Sequence, residues 1–273
     1  MPFDVNDMFE TAHEEGSISN QSLQILKGSG LAQQVNNAMG KSVDDLIANE
    51  TLLVTLDIDD SGSIRFVPGN TEEIRKGHNQ CRDEVLAGSK SAAAVLMHTR
   101  YLNGDVLYPY SPLISVPDMD VQNYNPTGGT PLYDSMLETF AVVLAKVQEC
   151  IDAAIPCRTV TAIITDGGDT GSYASPSDVK SIVEDMIKAE TNIIIGVGVS
   201  DNSTDFKSVF KSCGIPEEWV LTPQNTPSEW RKVFGVVSKS SQMMSKTGMT
   251  ASAISSSSSA GIAGFEWDDE NTP

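Results

Sequence analysis

The stretch LLVTLDIDDSGS, Leu52 to Ser63, decides the fold. Its first half is an apolar run rich in Leu, Val, Ile and Thr, which reads as a strand covered on both faces. Its second half is a cluster of oxygen-bearing side chains. Asp59, Ser61 and Ser63 fall at alternate positions. A strand running into a tight turn directs such positions toward one point, and their carboxylate and hydroxyl oxygens are hard ligands for a cation.

The chain on the C-terminal side alternates strands and helices. A helix is expected near 71–87, with Thr71, Glu72 and Glu73 in its first turn. Its inner side would carry Ile74, Gln80, Cys81, Val85 and Leu86. SAAAVLMHTRY, 91–101, reads as the second strand. Asn103-Gly104 marks a turn, and DVLYPYSPL returns as an antiparallel edge strand, where Pro109 and Pro112 are tolerated. A loop over 118–130 leads to Pro131, which opens a long helix reaching about Cys150. RTVTAIITDGG is a strand and turn, Pro176 starts a helix to about Ala189, and TNIIIGVGVS is the next strand. A helix near 204–213, a short strand around 218–221 and a last helix over 227–243 complete the pattern. This predicts a doubly wound α/β domain, its sheet mostly parallel with one antiparallel edge strand and helices on both faces.

The flanks differ in composition. Residues 1–50 are acidic and weakly apolar, with short helices expected near 4–13, 20–27, 30–39 and 42–48 between glycines. They read as an extension packed on the main domain or as a partner-binding arm. Residues 246–273 form a serine-rich acidic tail that cannot bury enough area to offset its ordering. Disorder is expected there, with Phe265 to Asp269 as a partner-docking alternative. The domain proper is expected over 51–245.

Charge and cysteine usage narrow the function classes. Across 273 residues, 18 Lys and Arg face 37 Asp and Glu, a formal net charge of -19. Such a surface repels nucleic acid and anionic membranes. The four cysteines form no CxxC pair, and the start, MPFDVNDMFETAHEEG, carries acids without an apolar core. A cytoplasmic protein with reduced thiols is expected.

Ligands gather at the carboxyl ends of strands in an α/β sheet. Asp59, Ser61 and Ser63 lie at one such end, Asp166 of ITDGG at another, and Thr127 and Thr130 in the loop entering the long helix. Two carboxylates and several hydroxyls suit Mg²⁺, with Mn²⁺ also able to fit.

In these residues the sequence closely resembles the von Willebrand factor A family. DDSGS at 59–63 matches its metal-ion-dependent adhesion site, NPTGGTPLYDS at 125–135 resembles the threonine loop of bacterial intracellular members, and ITDGG supplies the distant aspartate. The resemblance covers about 51–243. It implies a cation held by Asp59, Ser61, Ser63, Thr130 and Asp166, with Mg²⁺ first and Mn²⁺ or Ca²⁺ as alternatives. It also implies an open position that accepts a Glu or Asp carboxylate from a protein partner. Arg65, Phe66, Tyr124 and Asn125 would form the surrounding surface, unless Phe66 and Tyr124 anchor loops instead. The family's bacterial members further imply a complex, some beside MoxR-type AAA+ ATPases. This chain has no GxxxxGK[ST] loop of its own.

Asp57 departs from the pattern. It lies two residues before Asp59, where the family usually has an apolar residue, and a carboxylate in a covered sheet needs pairing. A local hydroxyl or basic partner, an orienting role toward a ligand, and direct cation binding are the three readings. Asp60 and Asp169 read as solvated loop acids, and His78 and His98 as structural. A non-enzymatic protein-binding module is therefore expected, with a metal-dependent hydrolase or a structural subunit lacking an ion switch as the other readings.

Overall fold

The computed structural model describes residues 4–46, 50–89 and 94–246. The tail beyond Lys246 lies outside the described residues, as do 91–93 at the start of the expected second strand and 47–48 of the expected helix at 42–48.

Six strands form one sheet: β1 (Thr51–Ile58), β2 (Val95–Tyr101), β3 (Val106–Pro112), β4 (Cys157–Thr165), β5 (Asn192–Gly198) and β6 (Val220–Leu221). Their spatial order is β3-β2-β1-β4-β5-β6, with every pairing parallel except β2 with β3. Every residue of β1 is buried, which is why its sequence runs apolar rather than alternating. Each fully buried Leu, Val or Ile there contributes about 1.5–3 kcal/mol.

Helices cover both faces. On one, α4 (Asn70–Gly88) packs against α8 (Pro227–Ser245), and α8 lies on β1 and β4. The inner side of α4 is Ile74, Gly77, His78, Cys81 and Val85, while Gln80 is exposed. Gly77 replaces the expected Gln80 because α8 comes so close that a Cβ there would stand 2.2 Å from the Phe234 ring. On the other face, α5 (Leu132–Asp152) crosses β1 and β4 beside α6 (Pro176–Lys188), and α7 (Phe206–Ser212) packs on β5 and β6.

The N-terminal segment adds a further layer. Helices α1 (Val5–Glu14) and α3 (Ala32–Met39) pack on α5, and α2 (Asn20–Gly28) packs on α6. This explains why α5 is apolar on all sides, with Phe140 to Ala145 buried without a break. The expected helix at 42–48 is a single 3₁₀ turn over Val43–Asp45. Buried Lys146 of α5 fastens this region. Its Nζ donates to the carbonyls of Met39 (2.9 Å) and Lys41 (2.6 Å) and to Glu149 Oε2 (2.7 Å), while Glu149 Oε1 accepts from Ser42 Oγ and the Val43 amide. Gly40, at φ +60, passes the Tyr110 backbone where a Cβ would meet the carbonyl oxygen at 2.2 Å.

The histidines of α4 and β2 are structural, as expected. His78 Nε2 meets the Tyr108 hydroxyl at 2.9 Å, and His98 Nδ1 lies 2.8 Å from the Tyr108 carbonyl. Burial pushes the His98 ring down to about 3, against the opposing pull of the Tyr108 carbonyl.

Two outcomes follow from this packing. Lys146→Met strands two carbonyls and the Glu149 carboxylate, so urea unfolding should show a loss of about 3–5 kcal/mol. His98 favours its neutral form in the fold, so its contribution is complete above the unfolded value near 6.5 and is lost as pH falls below it. The stability advantage of the native chain over His98→Gln should therefore shrink by about 2 kcal/mol between pH 8 and pH 5, measured by denaturation at each pH.

Candidate functional site

The carboxyl ends of β1 and β4 lie side by side, because the two strands pair in register up to Ile58 with Ile164. Asp59 is the first residue past that pairing on its strand, and Asp166 is the second on its own. Asp59 is fully buried, and its carboxylate has three protein donors. Oδ1 accepts from the Ser61 amide (2.7 Å), and Oδ2 accepts from Thr165 Oγ1 (2.7 Å) and the Asp166 amide (3.2 Å). The first bond closes an Asx turn that swings Ser61 and Ser63 toward β4.

The serine hydroxyls reach Asp166. Ser61 Oγ and Ser63 Oγ are 2.8 Å apart, Ser63 Oγ donates to Asp166 Oδ1 at 2.6 Å, and Ser61 Oγ lies 3.5 Å from the same oxygen. Thr130 comes from the far side. Its backbone is pinned at both polar atoms, the amide donating to Thr170 Oγ1 (2.9 Å) and the carbonyl accepting from the Thr170 amide (2.7 Å). Its hydroxyl stands beside Gly167, 3.5 Å from where a Cβ would be. Direct hydrogen bonds thus connect Asp59, Ser61, Ser63 and Asp166, and Thr130 faces the turn that follows Asp166. Thr127, the other hydroxyl of this loop, is exposed.

The loops are stitched together by backbone. The Asp60 carbonyl accepts from the Thr127 and Gly128 amides, and Gly62 donates to the Gly128 carbonyl, closing a one-residue parallel bridge from Ser61 to Gly128. Asp60 is not the solvated acid expected from its loop position. It is 5% exposed, its Oδ1 accepts from the Asn103 amide, and burial raises it to about 6. The Asn103-Gly104 turn folds over it. Asp169 is half-buried and accepts from Ser172 Oγ.

Tyr124 takes the second of its two expected roles, the loop anchor. It is fully buried, and its hydroxyl donates to the Asp59 carbonyl at 2.6 Å. Its own carbonyl accepts from Arg75 of α4. It is a loop anchor, leaving Arg65, Phe66 and Asn125 exposed around the oxygen cluster. Tyr173, which follows Asp169 by four residues and carried no sequence signal, is fully exposed, and Phe66 is 83% exposed.

Burial raises Asp166 to about 6, and the nearby Asp59 charge adds to that effect, while the Ser63 and Ser61 hydroxyls oppose it. Two carboxylates crowded in a partly desolvated site, with neutral hydroxyls as their companions, fit a hard dication, whose charge relieves the mutual repulsion. Among the described residues no three His, Cys, Asp or Glu side chains converge as a metal cluster, so this site rests on two carboxylates and neutral hydroxyls.

The sheet order and this strand-end arrangement decide the architecture. The fold is that of a von Willebrand factor A domain. Solved structures of similar fold include the pilus adhesin SpaC of Lactobacillus rhamnosus GG. In its open conformation it matches 71% of this chain and 30% of its own, at 9% identity and a TM-score of 0.52. A second SpaC structure gives 10% identity, 71% and 31% coverage, and a TM-score of 0.53. Proximal thread matrix protein 1 of the mussel byssus, in a structure with a zinc-occupied MIDAS motif, matches 70% of this chain and 47% of its own at 16% identity and a TM-score of 0.47. This chain spans less than half the length of either protein, and what SpaC shares with it is the fold. No family model and no curated protein matches the sequence.

The Tyr124 hydroxyl ties the loop ahead of α5 to the end of β1. Tyr124→Phe leaves the Asp59 carbonyl without that donor, so chemical denaturation should show a loss of about 1–3 kcal/mol with the fold retained.

Proposed function

We propose that this chain is a divalent-cation-dependent protein-binding module. The observation that carries the reading is the convergence of Asp59, Ser61, Ser63 and Asp166 through direct hydrogen bonds at the adjoining ends of β1 and β4, with Thr130 facing them. These five residues would hold the ion. Its chemistry would be that of a hard Lewis acid offering coordination to an incoming oxygen ligand, and the all-oxygen donor set favours Mg²⁺, then Mn²⁺ or Ca²⁺.

The chain's own residues set the terms of binding. A chain of net charge -19 repels an acidic partner at long range, so a partner's Glu or Asp gains from the site only when the ion is bound. The exposed Phe66, three residues after Ser63, supplies apolar contact area on the serine loop. His78 and His98 are buried in the α4–β2–β3 layer and make poor candidates for a base acting on water, which supports a binding rather than a hydrolytic role.

Among the described residues no helix is long and apolar enough to cross a membrane, and all four cysteines are free. Both support a cytoplasmic setting, in which the partner belongs to a larger complex, a MoxR-type AAA+ ATPase being one such associate.

Calorimetric titration with Mg²⁺ and Mn²⁺ tests the reading. The native chain should show saturable binding that Asp59→Ala and Ser61→Ala abolish, and an affinity pull-down should lose its partner on chelation. Native binding no better than that of the two variants would overturn it.

A further inference from the structure

Asp57 sits at the centre of a network that the oxygen cluster does not use. The residue is fully buried on β1, and its register partner on β2 is Arg100, itself 2% exposed. Asp57 Oδ2 accepts from Ser135 Oγ (2.8 Å) and Thr139 Oγ1 (2.9 Å), two hydroxyls one turn apart on α5. Arg100 donates through Nη2 to Glu138 of the same helix, and its Nε lies 3.9 Å from Asp57 Oδ1. Three residues of α5 are therefore fastened to two adjacent strands by one acidic and one basic side chain.

As stability alone, this arrangement is poor value. A buried ion pair seldom outperforms apolar groups of like volume, because desolvation consumes its Coulombic gain. Here the pair is not even closed: Asp57 Oδ1 and Arg100 Nε have no hydrogen-bond partner. Burial accordingly raises the Asp57 carboxyl above its ordinary range, with Arg100 opposing. What the network does supply is position.

That position bears on Thr130. The first turn of α5 begins two residues after it, with the Leu132 amide donating to the Thr130 carbonyl and the Ser135 amide to the Pro131 carbonyl. The loop ahead is tied to the Asp60 carbonyl at Thr127 and Gly128, and to Thr170 at Thr130. Its other end is the first turn of α5, which Ser135 holds on Asp57 and which Tyr133 and Asp134 hold on the loop over 169–174. Asp59 has its own separate fastening to Ser61, Thr165 and Asp166.

We infer that Asp57 is a positioning residue, which sets the placement of Thr130 by clamping the first turn of α5 to β1 and thereby raises the site's affinity for its cation. The inference rests on the cation-binding reading above. It assigns Asp57 no contact with the ion: the carboxylate acts through Ser135 and Thr139 on the helix, and through the helix on the threonine loop.

The test is a double-variant cycle read by Mg²⁺ titration calorimetry on the full chain. Asp57→Leu should weaken Mg²⁺ binding roughly tenfold or more, the scale on which groups behind metal ligands act. On a Thr130→Ala background the same substitution should change affinity less than about twofold, because the hydroxyl it positions is gone. A merely structural role predicts equal losses on both backgrounds, and that result overturns the inference. Ser135→Ala combined with Thr139→Val removes the clamp from the helix side and should reproduce the loss, so the conclusion does not depend on Asp57→Leu folding. Val54→Ala, a cavity variant of the same strand, should lower the melting temperature and leave Mg²⁺ affinity unchanged. If Mg²⁺ binding depends on Asp59 and is unaltered by either clamp variant, the inference fails alone. If native binding shows no dependence on Asp59, the cation reading beneath it fails.

Discussion

The structure depends on the contact between the Asp59 carboxylate and the end of β4. A buried carboxylate is costly unless its oxygens are occupied, and Thr165 Oγ1 and the Asp166 amide occupy Oδ2 while the Ser61 amide occupies Oδ1. That one side chain therefore terminates β1, turns the serine loop toward its neighbour strand and fixes where Asp166 lies. The Tyr124 hydroxyl adds a fourth fastening through the Asp59 carbonyl. Remove the carboxylate and three donors from two strand ends lose their common acceptor.

The surrounding layers make that contact possible. Both strands are buried on both faces by helices, so their ends cannot drift apart without exposing apolar surface from the core. The α5 helix carries the burden on one face. It is clamped to the sheet by Asp57 and Arg100 near its start and to the N-terminal segment by Lys146 and Glu149 near its end. A helix held to the sheet near its start and to the N-terminal segment near its end gives the loop before it a defined place, which is what a site assembled from three separated segments requires.

The sequence made the scaffold legible because its signals were local. Uninterrupted apolar runs marked β1, β4 and β5, prolines marked the β3 edge and the starts of α5 and α6, and the Asn103-Gly104 turn marked the antiparallel return. Asp59, Ser61, Ser63 and Asp166 were visible for the same reason, each standing at the end of a predicted strand, whereas Thr130 was told from Thr127 only by the family resemblance. What escaped was non-local. Asp60 looks like a loop acid until the turn at Asn103 closes over it, and Tyr124 reads equally as a surface aromatic or a loop anchor until β1 offers a carbonyl to its hydroxyl. Thr165 and Thr170 act as fasteners only because pairing brings them to Asp59 and Thr130. Gly77 takes the inner position expected of Gln80 because Phe234 of α8 leaves no room for a side chain. Asp57 could be recognised as needing a partner, and the hydroxyls and guanidinium that meet it come from elements separated from it by long stretches of chain.

The central claim is that the oxygens of Asp59, Ser61, Ser63, Thr130 and Asp166 form one cation site. The most direct measurement is a crystal structure of the chain grown with Mn²⁺, recorded for the anomalous signal of that ion. The account predicts a single strong anomalous peak within bonding distance of the Ser61 and Ser63 hydroxyls, with the carboxylates of Asp59 and Asp166 around it. An anomalous map with no peak between the ends of β1 and β4, or with its peak on exposed carboxylates elsewhere, would contradict it.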